Sequence, residues 1–169
     1  MTQRDLDPNL LKMYSFLVFS KLEGAVTSGM IHLGDRLGLY QSLSTFAHPV
    51  TSDELAASLQ LHPRWVQEWI HNQAAARLIE VSIDEQGIET YSMTPEAIVV
   101  LADEFHPAFG MGMFHRLPQT MAGLTALPES FRTGIGLDYD SHGPEGAVGI
   151  ERSFEPWSRS YLLPVVLPA

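Results

Sequence analysis

Residues 51–96 read TSDELAASLQLHPRWVQEWIHNQAAARLIEVSIDEQGIETYSMTPE, and the local signals in this stretch decide the fold. Thr51 and Glu54 stand three apart just ahead of Leu55, the spacing of a capping box. The hydroxyl accepts from a free helix N–H while the carboxylate reaches back to the cap residue's own N–H. A short helix carrying Leu55, Ala56 and Leu59 is predicted there. Leu61, His62 and Pro63 make a turn, and Pro63 suits the first position of the next helix because it has no N–H to leave unpaired. That helix is expected from about Arg64 to Leu78, with Trp65, Val66, Trp69, Ile70, Ala74 and Leu78 as its buried set. Ile79–Ile83 and Glu89–Met93 then alternate in strand fashion. Gly87 between them supplies the positive φ that a hairpin turn commonly needs. Thr94, Pro95 and Glu96 cap a further helix with Ala97, Val100 and Leu101 on its apolar face. Helix, turn, helix and hairpin in that order make a winged helix. The expected fold class is mostly α: a helix-turn-helix plus β-hairpin, with added N- and C-terminal helices.

Upstream, Asp7 and Pro8 form a helix start, followed by Leu10, Leu11, Tyr14, Leu17, Val18 and Leu22 at helical spacing. Gly24 is expected to break or kink this helix. A second helical stretch then carries Ala25, Met30, Ile31, Leu33 and Leu37, and a third lies around Leu39–Ser44. These helices are apolar on more than one side, so they require partners on more than one side. Downstream, Phe105–Leu127 reads as one long helix interrupted near Pro118, and Pro128–Phe131 as another short one. Thr133–Gly149, rich in Gly, Asp and Pro, reads as a loop. From Ile150 a stripe of Phe154, Trp157, Tyr161 and Leu162 runs to Pro164. The expected division is 1–46 for N-terminal dimerisation helices, 47–104 for the winged helix and 105–169 for a helical extension and linker.

Charge restricts the partners. The chain holds 10 basic and 20 acidic residues, and residues 51–100 hold only Arg64 and Arg77 against eight acids. Winged helices that read DNA neutralise phosphates with Lys and Arg, so a surface this acidic argues against nucleic acid, and equally against anionic membranes. No apolar run reaches the roughly 18 residues of a membrane span, and no basic cap with an apolar run stands at the start. Cysteine is absent, which removes disulfides, thiolate nucleophiles and Cys-based zinc sites. A cytoplasmic protein is expected.

Leu33-Gly-Asp-Arg-Leu-Gly-Leu-Tyr40, Thr51–Ala56, Trp65–Trp69 with Gln73, and Tyr91–Glu96 together resemble the N-terminal region of bacterial class I S-adenosylmethionine-dependent methyltransferases with a winged-helix dimerisation domain. Phe131–Gly134, Gly136, Tyr139 and the Trp157–Ala169 tail extend the resemblance over nearly the whole chain. It implies a homodimer in which this region pairs two subunits and closes over the active site of a following Rossmann-like domain. The cofactor motif of that domain is an acidic residue and Gly-x-Gly between a strand and a helix. Gly134-Ile-Gly136 and Gly143–Gly149 lack that context, so no cofactor-binding, catalytic or metal residue is assigned. S-adenosylmethionine is expected only with the domain not present here, and whether the chain is an enzyme depends on that domain.

Residues of this chain could still line a shared small-molecule substrate pocket. His106, His115 and His142 fall in the last third near Arg116, Asp138, Tyr139 and Asp140, and histidine suits proton transfer near neutral pH. Met111, Met113, Met121, Phe109 and Phe114 fit an adaptable apolar wall or a core equally well. Met113, Phe114, His115 and Tyr139 are the substrate-pocket candidates. The alternative functions are a stand-alone dimer that binds a small apolar ligand, and a winged-helix transcription regulator.

Overall fold

The computed structural model describes residues 6–167. Its elements are α1 (Pro8–Arg36), α2 (Leu39–Thr45), α3 (Ser52–Ser58), α4 (Pro63–Ala75), β1 (Glu80–Ile83), β2 (Glu89–Ser92), α5 (Pro95–Leu101), α6 (Gly112–His115), α7 (Leu117–Gly123), α8 (Leu127–Thr133) and α9 (Gly143–Trp157). A 3-10 turn at Tyr139–His142 precedes α9, and a π-wound segment, Ser158–Val166, follows it. Met1–Asp5 and Pro168–Ala169, the ends of the stretches discussed above, lie outside the described residues.

Each helix start read from side-chain chemistry is built as expected. Asp7 Oδ1 accepts from the Asn9 and Leu10 N–H groups at 2.8 and 3.3 Å. The Thr51–Glu54 capping box closes in both directions, at 3.2 Å from Glu54 N–H to the hydroxyl and 2.7 Å from Thr51 N–H to the carboxylate. These bonds hold the Glu54 carboxyl below its ordinary range, the backbone N–H of Thr51 first and its hydroxyl second. The Thr94 hydroxyl accepts from Ala97 N–H at 3.1 Å. In the hairpin, Glu80 pairs with Ser92 and Ile83 with Glu89, antiparallel. Asp84 Oδ1 gathers the N–H groups of Gln86 and Ile88, and Gly87 takes φ +80°. Val50 bridges to Tyr91, tying the segment before α3 onto the wing.

The core lies where α1, α2, α3, α4 and the hairpin meet, around Leu39, Tyr40, Val50, Leu55, Ile70 and Tyr91. Trp69 threads its indole N–H to the Met30 carbonyl at 2.8 Å and stands edge-on to Tyr40, ring centres 5.1 Å apart. Gly34 makes this possible, because a Cβ there would lie 2.6 Å from the Trp69 ring. Burial, reinforced by the charge of Asp35, raises the Tyr40 pKa, so its hydroxyl stays a donor, and it donates to Gln73 Oε1.

Five expectations are corrected. Gly24 does not interrupt α1: one interior glycine costs about 1 kcal/mol, less than abandoning a turn of helix hydrogen bonds costs an already nucleated helix. Helix α4 stops at Ala75, short of Leu78, because Arg77 adopts φ +60° and Leu78 N–H returns to the Gln73 carbonyl, a left-handed helix stop. Trp65 is not buried but 74% exposed. Phe105–Leu127 is not one long helix. Asp103 and His106 side chains capture the N–H groups of Phe105 and Ala108, and the residues before Pro107 and Pro118 disfavour helical backbone, which leaves only the short α6 and α7. Finally, Thr133–Gly149 is a loop only in its first part, because α9 begins at Gly143. Its glycines serve packing as well as turns: a Cβ on Gly149 would sit 2.9 Å from the Gly112 carbonyl on α6. Beyond α9 the chain stays wound through Pro164 to Val166.

Candidate functional site

Two features stand out once the fold is in place, one polar and one apolar. The polar one joins four segments of the chain that are separate in sequence. Asp35, near the end of α1, has a side chain only 2% exposed. Arg152 of α9 reaches it with both guanidinium arms, at 2.7 and 2.8 Å, the bidentate geometry that suits a carboxylate best. The same guanidinium donates to Glu104 at 2.7 Å and to His115 Nδ1 at 3.1 Å, and lies over the Phe109 ring at 5.4 Å. His115 Nε2 in turn meets Glu145 at 2.6 Å. The bonds to Asp35, opposed by partial burial, push the Arg152 pKa further up. An open cleft of about 500 Å³ runs alongside, with Arg36, Gly38 and Gln41 completing its wall.

The apolar feature is a groove of about 370 Å³ between the end of α1 and the start of α4, lined by Met30, Leu33, Leu37, Leu61, Trp65 and Trp69 among others. Earlier in α1, Leu10, Leu11, Tyr14, Phe16, Phe19 and Leu22 are all more than half exposed. The apolar residues of α1 are spread around the helix and not gathered on one face.

The four sequence-derived pocket candidates are not brought together as one wall. His115 is buried and fully engaged by Arg152 and Glu145. Phe114 packs against the core, and its carbonyl lies 2.9 Å from His32 Nδ1. Met113 is 55% exposed, and Tyr139 stands on the exposed turn before α9. Neither Met113 nor Tyr139 lines the two clefts described. His106 is used as a turn acceptor and Asp138 as the cap of the Tyr139 turn; the side chain of His142 lies outside the described set. Asp35, Glu104, Glu145 and Arg152 were not anticipated as a group. Asp35 stands in the Gly34-Asp35-Arg36 motif, but nothing local to Arg152 announces a partner 117 residues away.

The wing carries no cationic surface to offset its acids. Arg64, at the exposed start of α4, is paired with Glu68 at 2.6 Å, so half of the basic charge in residues 51–100 is already engaged. Glu89 is held below the ordinary carboxylate range by the Tyr91 hydroxyl and then by His71. Gly134 is the left-handed stop of α8, and Gly143 opens α9, so neither glycine pair follows a strand. Among the described residues, no group of three or more His, Asp or Glu is placed to hold a metal. No described helix is long and apolar enough to cross a membrane.

Helices α3 and α4 with the β1–β2 wing define a winged helix-turn-helix protein with added helices at both ends. Residues 25–102 match the family model of the Rv2258c-like winged HTH domain. Among solved structures, the chain is similar to human N-acetylserotonin methyltransferase in complex with SAM, with a TM-score of 0.63 and 16% identity over 92% of this chain and 44% of that one. It is similar to the mitomycin 7-O-methyltransferase MmcR, with a TM-score of 0.67 and 18% identity over 91% of this chain and 47% of that one. For CalO1, a methyltransferase in calicheamicin biosynthesis in its SAH-bound form, the TM-score is 0.54 and the identity 15%, over 92% and 47%. At these identities the likeness is one of fold, and the chain spans less than half the length of each. No curated protein sequence matches the chain.

Proposed function

We propose that this chain is the dimerisation and substrate-lid module of an S-adenosylmethionine-dependent methyltransferase; it performs no methyl transfer by itself and works with a Rossmann-like domain that carries the cofactor. In this reading residues 1–46 pair two copies, 47–104 form the winged-helix body, and 105–169 lead toward the cofactor domain. The methyl acceptor would be a small molecule, with Met113 contributing to the lid from its exposed position.

The observation that carries the proposal is uncovered surface. A folded monomer of 18.8 kDa exposes about 8,300 Å² by the usual size scaling, whereas this chain exposes 12,032 Å². The excess, about 3,700 Å² per chain, is more than a standard interface covers, which is about 800 Å² on each partner. The exposed apolar residues of α1 and the groove beside Trp65 contribute to it, a surface suited to a second copy. A transcription regulator is disfavoured by the acidic wing and the Arg64–Glu68 pair.

Isothermal calorimetry with S-adenosylmethionine tests the division of labour. The chain should show no saturable heat at ligand concentrations up to about 1 mM, the weak end of useful affinity. Micromolar binding by this chain would place a cofactor site within it and defeat the proposal.

A further inference from the structure

Strand β1 lies at the edge of the two-stranded sheet, and its hydrogen bonding is fixed by a neighbour on the far side. Tyr91 of β2 exchanges both of its backbone bonds with Val50, at 3.0 and 2.8 Å. Its N–H and C=O therefore point away from β1, and in an antiparallel pair the bonded rungs alternate along the strand. The rungs that join β1 to β2 are then Glu80 with Ser92 and Ser82 with Thr90. The bond from Asp84 N–H to the Ile88 carbonyl, at 3.1 Å, continues the same phase. Val81 and Ile83, opposite Tyr91 and Glu89, turn their N–H and C=O groups outward. Among the described residues none bonds to these groups, and the two residues are 45% and 65% exposed. Such an edge is a template for another strand. A cleft of about 490 Å³ runs beside it, walled by Arg77 and Leu78 after α4 and by Thr94 and Ala97 at the start of α5.

We propose that this edge takes a third strand from a protein segment in which apolar and basic residues alternate. The inference is independent of any role in methyl transfer. Residues directly opposite across a ladder share a face, so the side chains of β1 set those of the incoming strand. Apolar residues belong opposite Val81 and Ile83. The positions opposite Glu80 and Asp84 meet carboxylates, and residues 79–93 hold four acids and no Lys or Arg. A basic residue at each of those two positions gains a facing charge, whereas an acid is repelled. Arg77 is the one cation among the described residues of the cleft wall, and it leaves the edge net acidic. The same rule disfavours a second copy of β1. Paired about a two-fold axis at Ser82, two such strands would match Val81 with Ile83 but set Glu80 against Asp84 twice.

The geometry specifies the probe: the peptide lysine-valine-threonine-valine-lysine, blocked at both ends, with its valines opposite Val81 and Ile83. Added to the whole ¹⁵N-labelled chain, it should shift the Val81 and Ile83 amide signals saturably, with Kd below about 1 mM. The counterpart with glutamate in place of both lysines should bind at least about tenfold more weakly. The lysine peptide with N-methylated valines cannot donate to the edge and should give no saturable shift. Val81→Pro should fold, because the N–H it removes is one that the chain leaves unpaired, and should lose the response at Ile83. No saturable shift at Val81 and Ile83, equal binding of the glutamate peptide, or unchanged binding after N-methylation would each overturn the proposal. So would peptide binding by folded Val81→Pro. Should that variant fail to fold, the three peptides on the wild-type chain still decide.

Discussion

Replacing Arg152 with alanine should lower the stability of the chain by about 3–5 kcal/mol, a large part of the 5–15 kcal/mol that an ordinary domain possesses. The size follows from the asymmetry of burial. Asp35 is 2% exposed at its side chain, and Arg152 supplies both of the side-chain hydrogen bonds its carboxylate accepts. Without the guanidinium, the carboxylate keeps its desolvation and loses its compensation. Glu104, half in water, suffers little from the same loss. Removing both partners should cost less than removing one, because an apolar pair of similar volume carries no stranded charge. Asp35→Leu combined with Arg152→Met should therefore recover part of the loss seen in Arg152→Ala. Thermal unfolding followed by circular dichroism reads both. An Arg152→Ala midpoint within a degree or two of wild type would mean that the pair contributes little.

Gly112→Val is the second large effect, expected at about 3 kcal/mol or more. A Cβ at this position would stand 2.4 Å from the Ser153 amide nitrogen and 2.7 Å from the Arg152 carbonyl carbon. Both are backbone atoms of α9, which cannot rotate aside as a flexible side chain does. Relief requires α9 to move outward, which also withdraws Arg152 from Asp35 and His115. Gly136→Ala is the matching control. Its added Cβ meets nothing within 4 Å, so it should unfold within about 0.5 kcal/mol of wild type. Chemical denaturation of the two variants side by side separates close packing from a general intolerance of side chains at glycine. Equal stability of Gly112→Val and wild type would contradict the helix contact.

How much of the fold is legible in the residues depends on the range over which each signal acts. Capping residues speak to N–H groups two or three positions away, so Asp7, Thr51 and Thr94 announce their helices. Asp84 and Gly87 announce the hairpin in the same way. The glycines of α9 misled for a physical reason: Gly146 and Gly149 look like loop residues, but both are buried, and Gly149 permits two helices to touch. Trp65 misled in the opposite sense. Its helical spacing matches a core position, yet the single chain has nothing to place over it. The polar cluster was illegible because its members come from four separate segments, and only the packing of α6 on α9 and α1 brings them within hydrogen-bonding distance. His115 lines the open cleft with Asp35, Gln41 and Glu104, while its ring is held by Arg152 and Glu145.

We propose that α1 and the Trp65 groove, bare in the single chain, are covered by another copy of the protein. Sedimentation equilibrium across the micromolar range tests it most directly. The account predicts a species of twice the 18.8 kDa chain mass that persists on dilution. A stable, fully helical monomer of 18.8 kDa at every concentration would contradict it.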